Sequence, residues 1–379
     1  MCGEVSHGSL AGFLFVLSKL YGLGVRFRNA RLDRGASAVR RLPVPVISVG
    51  NLTAGGAGKT PMVLYLAGEL RRLGLRPAVV CRGYRGGAER VGGVVGDGER
   101  IQLDAAQAGD EPRLLAERLP GVPVVVGADR FSAGMRAISQ FSPGLILLDD
   151  GFQHRRLARD LDLVLLDARR PLGNGHLLPR GPLREPVPAL KRADALILTR
   201  SDRGVSPLPK TPGTKGIPVF RTVHSPVLRN ILLAGDSVDC GFPQGRFEGS
   251  QGAGSELGGG AVLEGGGGAF VFSGLADNAD VLRTVAALGA RPVGAMGFPD
   301  HHAFSEKDRK AIFQAARECG ANLLVTTEKD AVRFPAETTF PLDLAVVGVD
   351  IDFGADENRF LDFLTRRLER MMTQSRRPR

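Results

Sequence analysis

Residues 44–49 read as a strand that runs into Gly50-Asn51-Leu52-Thr53-Ala54-Gly55-Gly56-Ala57-Gly58-Lys59-Thr60-Pro61, and an amphipathic stretch, 62–73, follows. Glycines in such a turn let backbone N–H groups converge on phosphate oxygens, while the helix N-terminus adds partial positive charge. Thr53, Ala54, Gly55, Gly56, Ala57 and Gly58 would form the cradle, Lys59 would reach the β- and γ-phosphates, and Thr60 would ligate Mg²⁺. The pattern G-x-x-x-x-G-K-[ST] asks for glycine at position 53, where this chain has threonine; the doublet Gly55-Gly56 partly compensates. A tight glycine turn with an incidental lysine is the blander reading, and the order strand, loop, helix argues against it. A phosphate loop also needs a carboxylate at the end of a neighbouring apolar strand to hold the metal. Leu145-Ile146-Leu147-Leu148-Asp149-Asp150 supplies two, followed by Gly151-Phe152-Gln153-His154. Either aspartate could instead cap a helix.

These groups need a scaffold that gathers strand ends at one edge. From residue 43, β-rich runs (44–49, 78–81, 145–148, 163–166, 195–199) alternate with amphipathic stretches such as 62–73 and 112–119. That rhythm predicts an α/β, P-loop NTPase-like fold, a mostly parallel sheet flanked by helices. Residues 235–268 hold thirteen glycines in 34 positions, which reads as a loop or a disordered insertion. Alternation then resumes through 269–273, 280–288, 306–319, 323–326 and 344–349, a second, smaller α/β domain. A helix near 357–371 leads into a basic tail. The expected divisions are an N-terminal amphipathic helix and basic segment (1–41), a P-loop domain (42–225), the second domain (226–356) and the C-terminal helix and tail (357–379). With 43% apolar and 24% charged residues, the chain can bury sizeable cores, which excludes a disordered protein. Cys2, Cys81, Cys240 and Cys319 lie far apart with no C-x-x-C. They suggest a reducing compartment rather than a disulfide framework or zinc site.

The net charge of +10 sits at the two ends, +5 in residues 1–41 and +5 in 365–379, leaving the span between them neutral. A nucleic-acid enzyme would spread its basic surface along a groove; charge at the ends suits an anionic membrane surface. Residues 10–17 are apolar and are followed by Lys19, Arg26, Arg28, Arg31 and Arg34. The run is too short to span a bilayer, and its charge lies on the wrong side for a signal peptide. It fits an interfacial anchor or a helix packed on the protein's own core, and both readings stay open.

The chain resembles the tetraacyldisaccharide 4'-kinases, the lipid A 4'-kinases of Gram-negative bacteria. The matching pieces are Gly50–Thr53 with Gly55–Pro61, Arg82-Gly83-Tyr84, Gly109-Asp110-Glu111-Pro112, Asp149–His154, Gly181-Pro182-Leu183-Arg184-Glu185-Pro186, Phe298-Pro299-Asp300-His301-His302 and Thr326-Thr327-Glu328-Lys329-Asp330. They stand in the family's order over about residues 10–333, and Thr53 is normal there. The glycine-rich stretch and the arginine-rich tail are not among the family's features. The resemblance implies transfer of the γ-phosphate of ATP, with Mg²⁺, to the 4'-hydroxyl of a tetraacylated glucosamine disaccharide 1-phosphate. It implies a peripheral enzyme on the cytoplasmic face of the inner membrane, whose partners are the lipid disaccharide and an anionic membrane surface. Neither nucleic acid nor a stable protein partner is expected.

By the same resemblance Asp110 carries the base role, paired with His301; the plainer reading of Asp110 is an N-cap for the helix at 112–119. Arg184 can neutralise charge on the transferring phosphoryl group, and Glu185 would hold a metal-bound water or the arginine itself; a solvated charge run is the alternative. Tyr84 would face nucleotide or acceptor sugar, or simply pack, and contributes to the nucleotide-binding set. Ser305, three residues before Asp308, predicts a capped helix. The rival class is a P-loop GTPase or ATPase acting as a membrane-surface switch. Thr199-Arg200-Ser201-Asp202 faintly echoes a base-reading motif, and such a switch needs only an activated water. A non-catalytic phosphate-binding scaffold is disfavoured by the metal and base candidates.

Overall fold

The computed structural model describes residues 7–35, 38–206, 214–236, 267–275, 278–335 and 337–375. Most of the glycine-rich stretch (237–266), Cys2, Cys240 and the arginines after residue 375 lie outside these. The first body contains α1 (His7–Asp33), β1 (Val46–Asn51), α2 (Lys59–Arg72), β2 (Pro77–Cys81), β3 (Gly93–Gly96), α3 (Ala105–Ala108), α4 (Asp110–Arg118), β4 (Val124–Val126), α5 (Arg130–Phe141), β5 (Leu145–Asp149), β6 (Leu161–Asp167), β7 (Ala195–Thr199) and β8 (Val219–Arg221). Its sheet runs β3-β4-β2-β5-β1-β6-β7-β8, parallel throughout except for β3, which pairs antiparallel with β4. Every residue of β1, β2, β5 and β7 is buried, as two-sided cover by helices requires. On one face lie α2 and α4, whose Met62, Leu66 and Leu115 join the core; on the other, Ala133 and Ala137 of α5 pack against Val80 and Ile146.

The chain crosses to the second body at Thr222. There β9 (Val223–Leu232), β10 (Gly268–Ser273), α6 (Asn278–Ala287), β11 (Arg291–Gly297), α7 (Glu306–Glu318), β12 (Leu323–Thr327), α8 (Glu328–Ala331) and β13 (Asp343–Asp352) build a sheet ordered β11-β10-β12-β13-β9. Only β9 is antiparallel, to β13. Pro226 within β9 cannot donate to a ladder, and the strand accordingly takes an edge. The capping box at Ser305 and Asp308 opens α7 as its sequence predicts.

The helix at the C-terminal end is α9 (Glu357–Ser375). It returns to the first body: Phe360, Leu364, Leu368 and Met371 join the core that holds Leu66 and Phe220. Phe360 stacks on Phe353 at 4.2 Å, and the Tyr65 hydroxyl donates to Glu357 at 2.6 Å. At the other end, α1 turns Ser18, Gly22 and Val25 inward. Ser18 Oγ donates to the Leu177 carbonyl at 2.8 Å. The opposite stripe, Phe13, Val16, Leu20, Leu23 and Phe27, is exposed, so the helix packs on its own protein and still shows an apolar face.

Candidate active site

The loop after β1 is held from two sides. Thr53 bridges to Leu183, and the Ala54 N–H donates to the Pro182 carbonyl at 2.6 Å. From the end of β7, Thr199 Oγ1 donates to the Ala57 carbonyl at 3.2 Å and Arg200 Nη1 to the Gly56 carbonyl at 3.0 Å. Gly55 and Gly58 adopt positive φ, 106° and 82°, where other residues are strained. A Cβ on Gly58 would also lie 2.7 Å from His224 Nε2. Gly58 caps α2 without any side-chain hydrogen bond, so the first N–H groups of that helix stay available to an anion. The fragment Thr199-Arg200 therefore supports the loop from beneath.

Register carries the second part. Val49 pairs with Asp149 across β1 and β5, so the aspartates end their strand beside the loop. Arg184 Nη1 donates to both oxygens of Asp150 at 3.0 and 2.8 Å, and Lys59 Nζ lies 3.6 Å from Asp150 Oδ1. Burial would raise the Asp150 carboxyl, but Lys59 and Arg184 outweigh it and hold it below its ordinary range. Asp149 differs: burial, then the neighbouring Glu111 charge, push it up to about 7 against the pull of Lys59. Its Oδ1 is buried and has no hydrogen-bond partner, the kind of orphan oxygen that a hard cation would satisfy. Among the described residues no group of three or more His, Cys, Asp or Glu could cage a metal. Mg²⁺ ordinarily takes one or two carboxylates together with substrate phosphates.

The third part joins the two bodies. Gly109, not Asp110, is the N-cap of α4, so the capping expectation gives way and the Asp110 side chain is free for other work. Its Oδ2 lies 2.8 Å from His301 Nδ1 and 2.8 Å from Arg333 Nε. Tyr84 is half exposed, lies edge-on to His301 with ring centroids 6.1 Å apart, and has the guanidinium groups of Arg82 and Arg85 near its ring. Asp150 (φ 53°), His301 (φ 64°), Arg85 (φ 62°) and Arg200 (φ 57°) are four of the five non-glycine residues with positive φ among those described. Such strain gathers at functional sites.

Glu185 takes a different place from the one expected. It is fully enclosed, paired with Arg192 at 2.9 and 3.0 Å and accepting from Asn29 Nδ2 at 2.9 Å. The arginine it holds is Arg192, not Arg184, and both its oxygens are occupied in tying α1 to the body rather than open to a metal. His302 stacks on Phe298 at 4.8 Å and pairs with Asp308, a packing role. Sequence reading names Glu111 and Lys329 only as parts of matching motifs, without a role, and does not name Arg333. Lys329 Nζ lies 3.4 Å from Glu111 and 3.6 Å from Asp300; the only advance signal for Arg333 was its spacing of three from Asp330.

No helix among the described residues is long and apolar enough to cross a membrane. Residues 10–369 match the family model for tetraacyldisaccharide-1-P 4'-kinase. A tetraacyldisaccharide 4'-kinase of Desulfatibacillum aliphaticivorans is 40% identical over 97% of this chain and 95% of its own. That of Geobacter sulfurreducens is 42% identical over 88% and 87%. Among solved structures, the "apo" form of LpxK from Aquifex aeolicus in complex with ATP aligns with a TM-score of 0.72 at 32% identity, covering 94% of this chain and 99% of the other. By family model, by sequence and by fold, the chain belongs to the tetraacyldisaccharide-1-P 4'-kinase family.

Proposed function

We propose that this kinase transfers the γ-phosphoryl group of ATP to the 4'-hydroxyl of a tetraacylated glucosamine disaccharide 1-phosphate, a step of lipid A biosynthesis. The observation that carries this reading is the Asp110–His301 pair, formed between the two bodies at 2.8 Å. Asp110 is chain neighbour to Glu111, whose charge acts on Asp149, which supports reading the pair and the phosphate loop as one site. A nucleotide switch has no use for such a pair, because it needs no acceptor hydroxyl. In the proposed step Lys59 and the free N–H groups of α2 bind the phosphates, and Arg184 balances charge on the transferring group. Asp110 and His301 orient the 4'-hydroxyl and receive its proton. Asp149 and Thr60 would hold Mg²⁺ brought with the nucleotide, the free Asp149 oxygen fitting that task, and the ion would supply charge neutralisation at the phosphates. Tyr84 supports the acceptor sugar or the nucleotide.

We further propose that the enzyme works peripherally on the anionic cytoplasmic face of the inner membrane. The exposed stripe of α1 would enter the acyl boundary while Lys19, Arg26 and Arg31 meet headgroups. The test is the product mass from purified protein, Mg²⁺ and ATP or GTP, with and without the disaccharide. A gain of one phosphoryl group on the disaccharide, with ATP, supports the kinase reading. Steady nucleotide hydrolysis indifferent to the acceptor would overturn it in favour of a switch.

A further inference from the structure

Asp110 Oδ2 receives two donors from the second body, His301 Nδ1 and Arg333 Nε, each at 2.8 Å. The Arg333 side chain is only 4% exposed, and its Nη1 donates to Asp330 Oδ1 at 2.7 Å. Asp330 is fully buried and is fixed by the Thr327 hydroxyl at 2.6 Å and the Gly274 N–H at 3.0 Å. A Cβ on Gly274 would stand 2.9 Å from Arg333 Nη1 and 3.1 Å from Asp330 Oδ1, so the missing side chain makes room for this pair. A rigid line thus runs from β10 and α8 through two buried charges to one oxygen of Asp110. Apolar side chains in place of a buried ion pair are often neutral or stabilising. Stability alone therefore does not account for the device.

We infer that Arg333, aimed by Asp330, is a positioning residue that keeps Asp110 an anion and so directs the acceptor hydroxyl's proton to His301 Nε2. This rests on the kinase reading above. A guanidinium only donates and does not release its proton. Placing a proton on Asp110 would leave the buried Arg333 with Asp330 as its one remaining counter-ion and its Nε donating to a neutral group, which disfavours that state. Placing it on Nε2 instead makes an imidazolium that faces the carboxylate, the arrangement used by Ser-His-Asp sites. Among the other charges near His301, Asp300 Oδ2 lies 3.5 Å from Nε2 and favours the cation. Lys329 opposes it but is shared between Asp300 and Glu111; the Arg82 and Arg85 charges lie against the Tyr84 ring. In the step, the 4'-O–H bond breaks with its proton going to Nε2. The oxygen's electron pair bonds the γ-phosphorus, and the bond from that phosphorus to the bridging oxygen breaks, its electron pair leaving with ADP.

The experiment is the single-turnover rate of the full chain with ATP, Mg²⁺ and the disaccharide, as a function of pH, for wild type, Arg333→Met, Arg333→Lys and Asp330→Asn. ATP affinity and melting temperature are measured alongside. Arg333→Met should lose on the order of 10²-fold in rate, the scale of a misplaced reacting group, with ATP affinity unchanged. Its acid limb should move to higher pH, since the Asp110–His301 pair without the guanidinium holds its proton longer. Arg333→Lys should return the limb to the wild-type position without restoring the full rate, because charge returns but the fork does not. Asp330→Asn should lower the rate, because Arg333 is no longer aimed, but should not move the limb to higher pH, because the guanidinium charge stays and a negative charge has gone. A limb that stays in place in Arg333→Met, with rate falling only in step with melting temperature, overturns the inference and leaves Arg333 a strut. If Arg333→Met does not fold, an unchanged rate in both remaining variants overturns it equally. A wild type that does not phosphorylate the disaccharide defeats the kinase reading instead, so the two failures are distinguishable.

Discussion

Asp149 and Asp150 are neighbours in the chain, yet Asp150 is claimed by Lys59 and Arg184 while Asp149 keeps a buried oxygen without a partner. This division gives each substitution its own expected signature. Asp149→Asn and Lys59→Ala should each lower turnover on the order of 10²–10³-fold, the usual loss when one preorganised charge leaves such a site. Asp149→Asn should keep or raise the melting temperature, because a neutral amide is cheaper to bury than a carboxylate. Near-normal turnover in Lys59→Ala would reject the phosphate-loop assignment. Behind the loop, burial and the nearby Arg200 and Arg203 push His224 down to about 3; burial and Arg130 push His154 down to about 4. In both, the unfolded chain binds a proton near pH 6.5 that the folded chain refuses. Stability should therefore be flat above that value and fall as pH drops through the window, by about 1.4 kcal/mol per unit for each histidine. The His154 share should end near pH 4 and the His224 share near pH 3. Urea unfolding across that range checks this, and His224→Gln should flatten part of the slope. A slope unchanged by that substitution would mean other groups set it. At this scale the sequence showed which residue types could act but not who holds whom. Nothing in the spacing of Glu185 and Arg192 foretold that they would pair, and Asp110 looked like a cap until Gly109 took that position.

Strands and helices were legible where burial is two-sided or periodic. β2, β5 and β7 are almost wholly apolar and β1 nearly so, with Ser48 and Asn51 its buried polar exceptions, and the spans that the sequence indicates for all four agree to within two residues. β9 escaped notice because it is a half-buried edge strand carrying Pro226, and β3 and β4 because they are only four and three residues long. α1 was the ambiguous element, and its geometry explains why. Spacings of three and four generate two apolar faces on one helix, one against Leu177 and the other outward. Replacing Phe13, Val16, Leu20, Leu23 and Phe27 with serine should spare the fold, since all five side chains are exposed. It should weaken co-sedimentation with both anionic and neutral liposomes and raise KM for the lipid acceptor more than for ATP. Replacing Arg26 and Arg31 with alanine should remove only the salt-sensitive part of binding, roughly 1 kcal/mol per charge near the surface. Serine variants that sediment as well as the parent would end the anchor idea.

The bodies meet through ion pairs and through Ile351 of β13, which joins the first core. Glu328 of α8, held within its own body by Arg229 of β9 at 3.0 Å, accepts across the boundary from Arg118 of α4 at 2.6 Å, and the Asp110 cluster lies at the start of the same helix, α4. The firmest tie is apolar and comes from α9, which belongs to the first core although its sequence follows the second sheet. That exchange could not be read in advance, because amphipathic periodicity tells that a helix has a buried face and not which sheet will bury it. Phe360→Ala should cost about 3–5 kcal/mol, as a large-to-small change in a packed core does. The loss should appear in unfolding followed through ATP binding, which reports the first body; a loss confined to the second body would contradict the packing described.

The same crossover sets a timetable. While the chain is being made, β8 and its Phe220 are complete long before Phe360 exists. At roughly 5–20 residues per second, the nucleotide half waits about 7–27 s for the helix that covers Tyr65 and Phe220. During that interval α2 and α4 already cover their part of the face, and the patch around Tyr65 and Phe220 stands open. A message that stops before residue 357 would release a protein carrying the whole phosphate loop and no means of closing the core beneath it. The cell would meet it as a client for chaperones and proteases rather than as a weak enzyme.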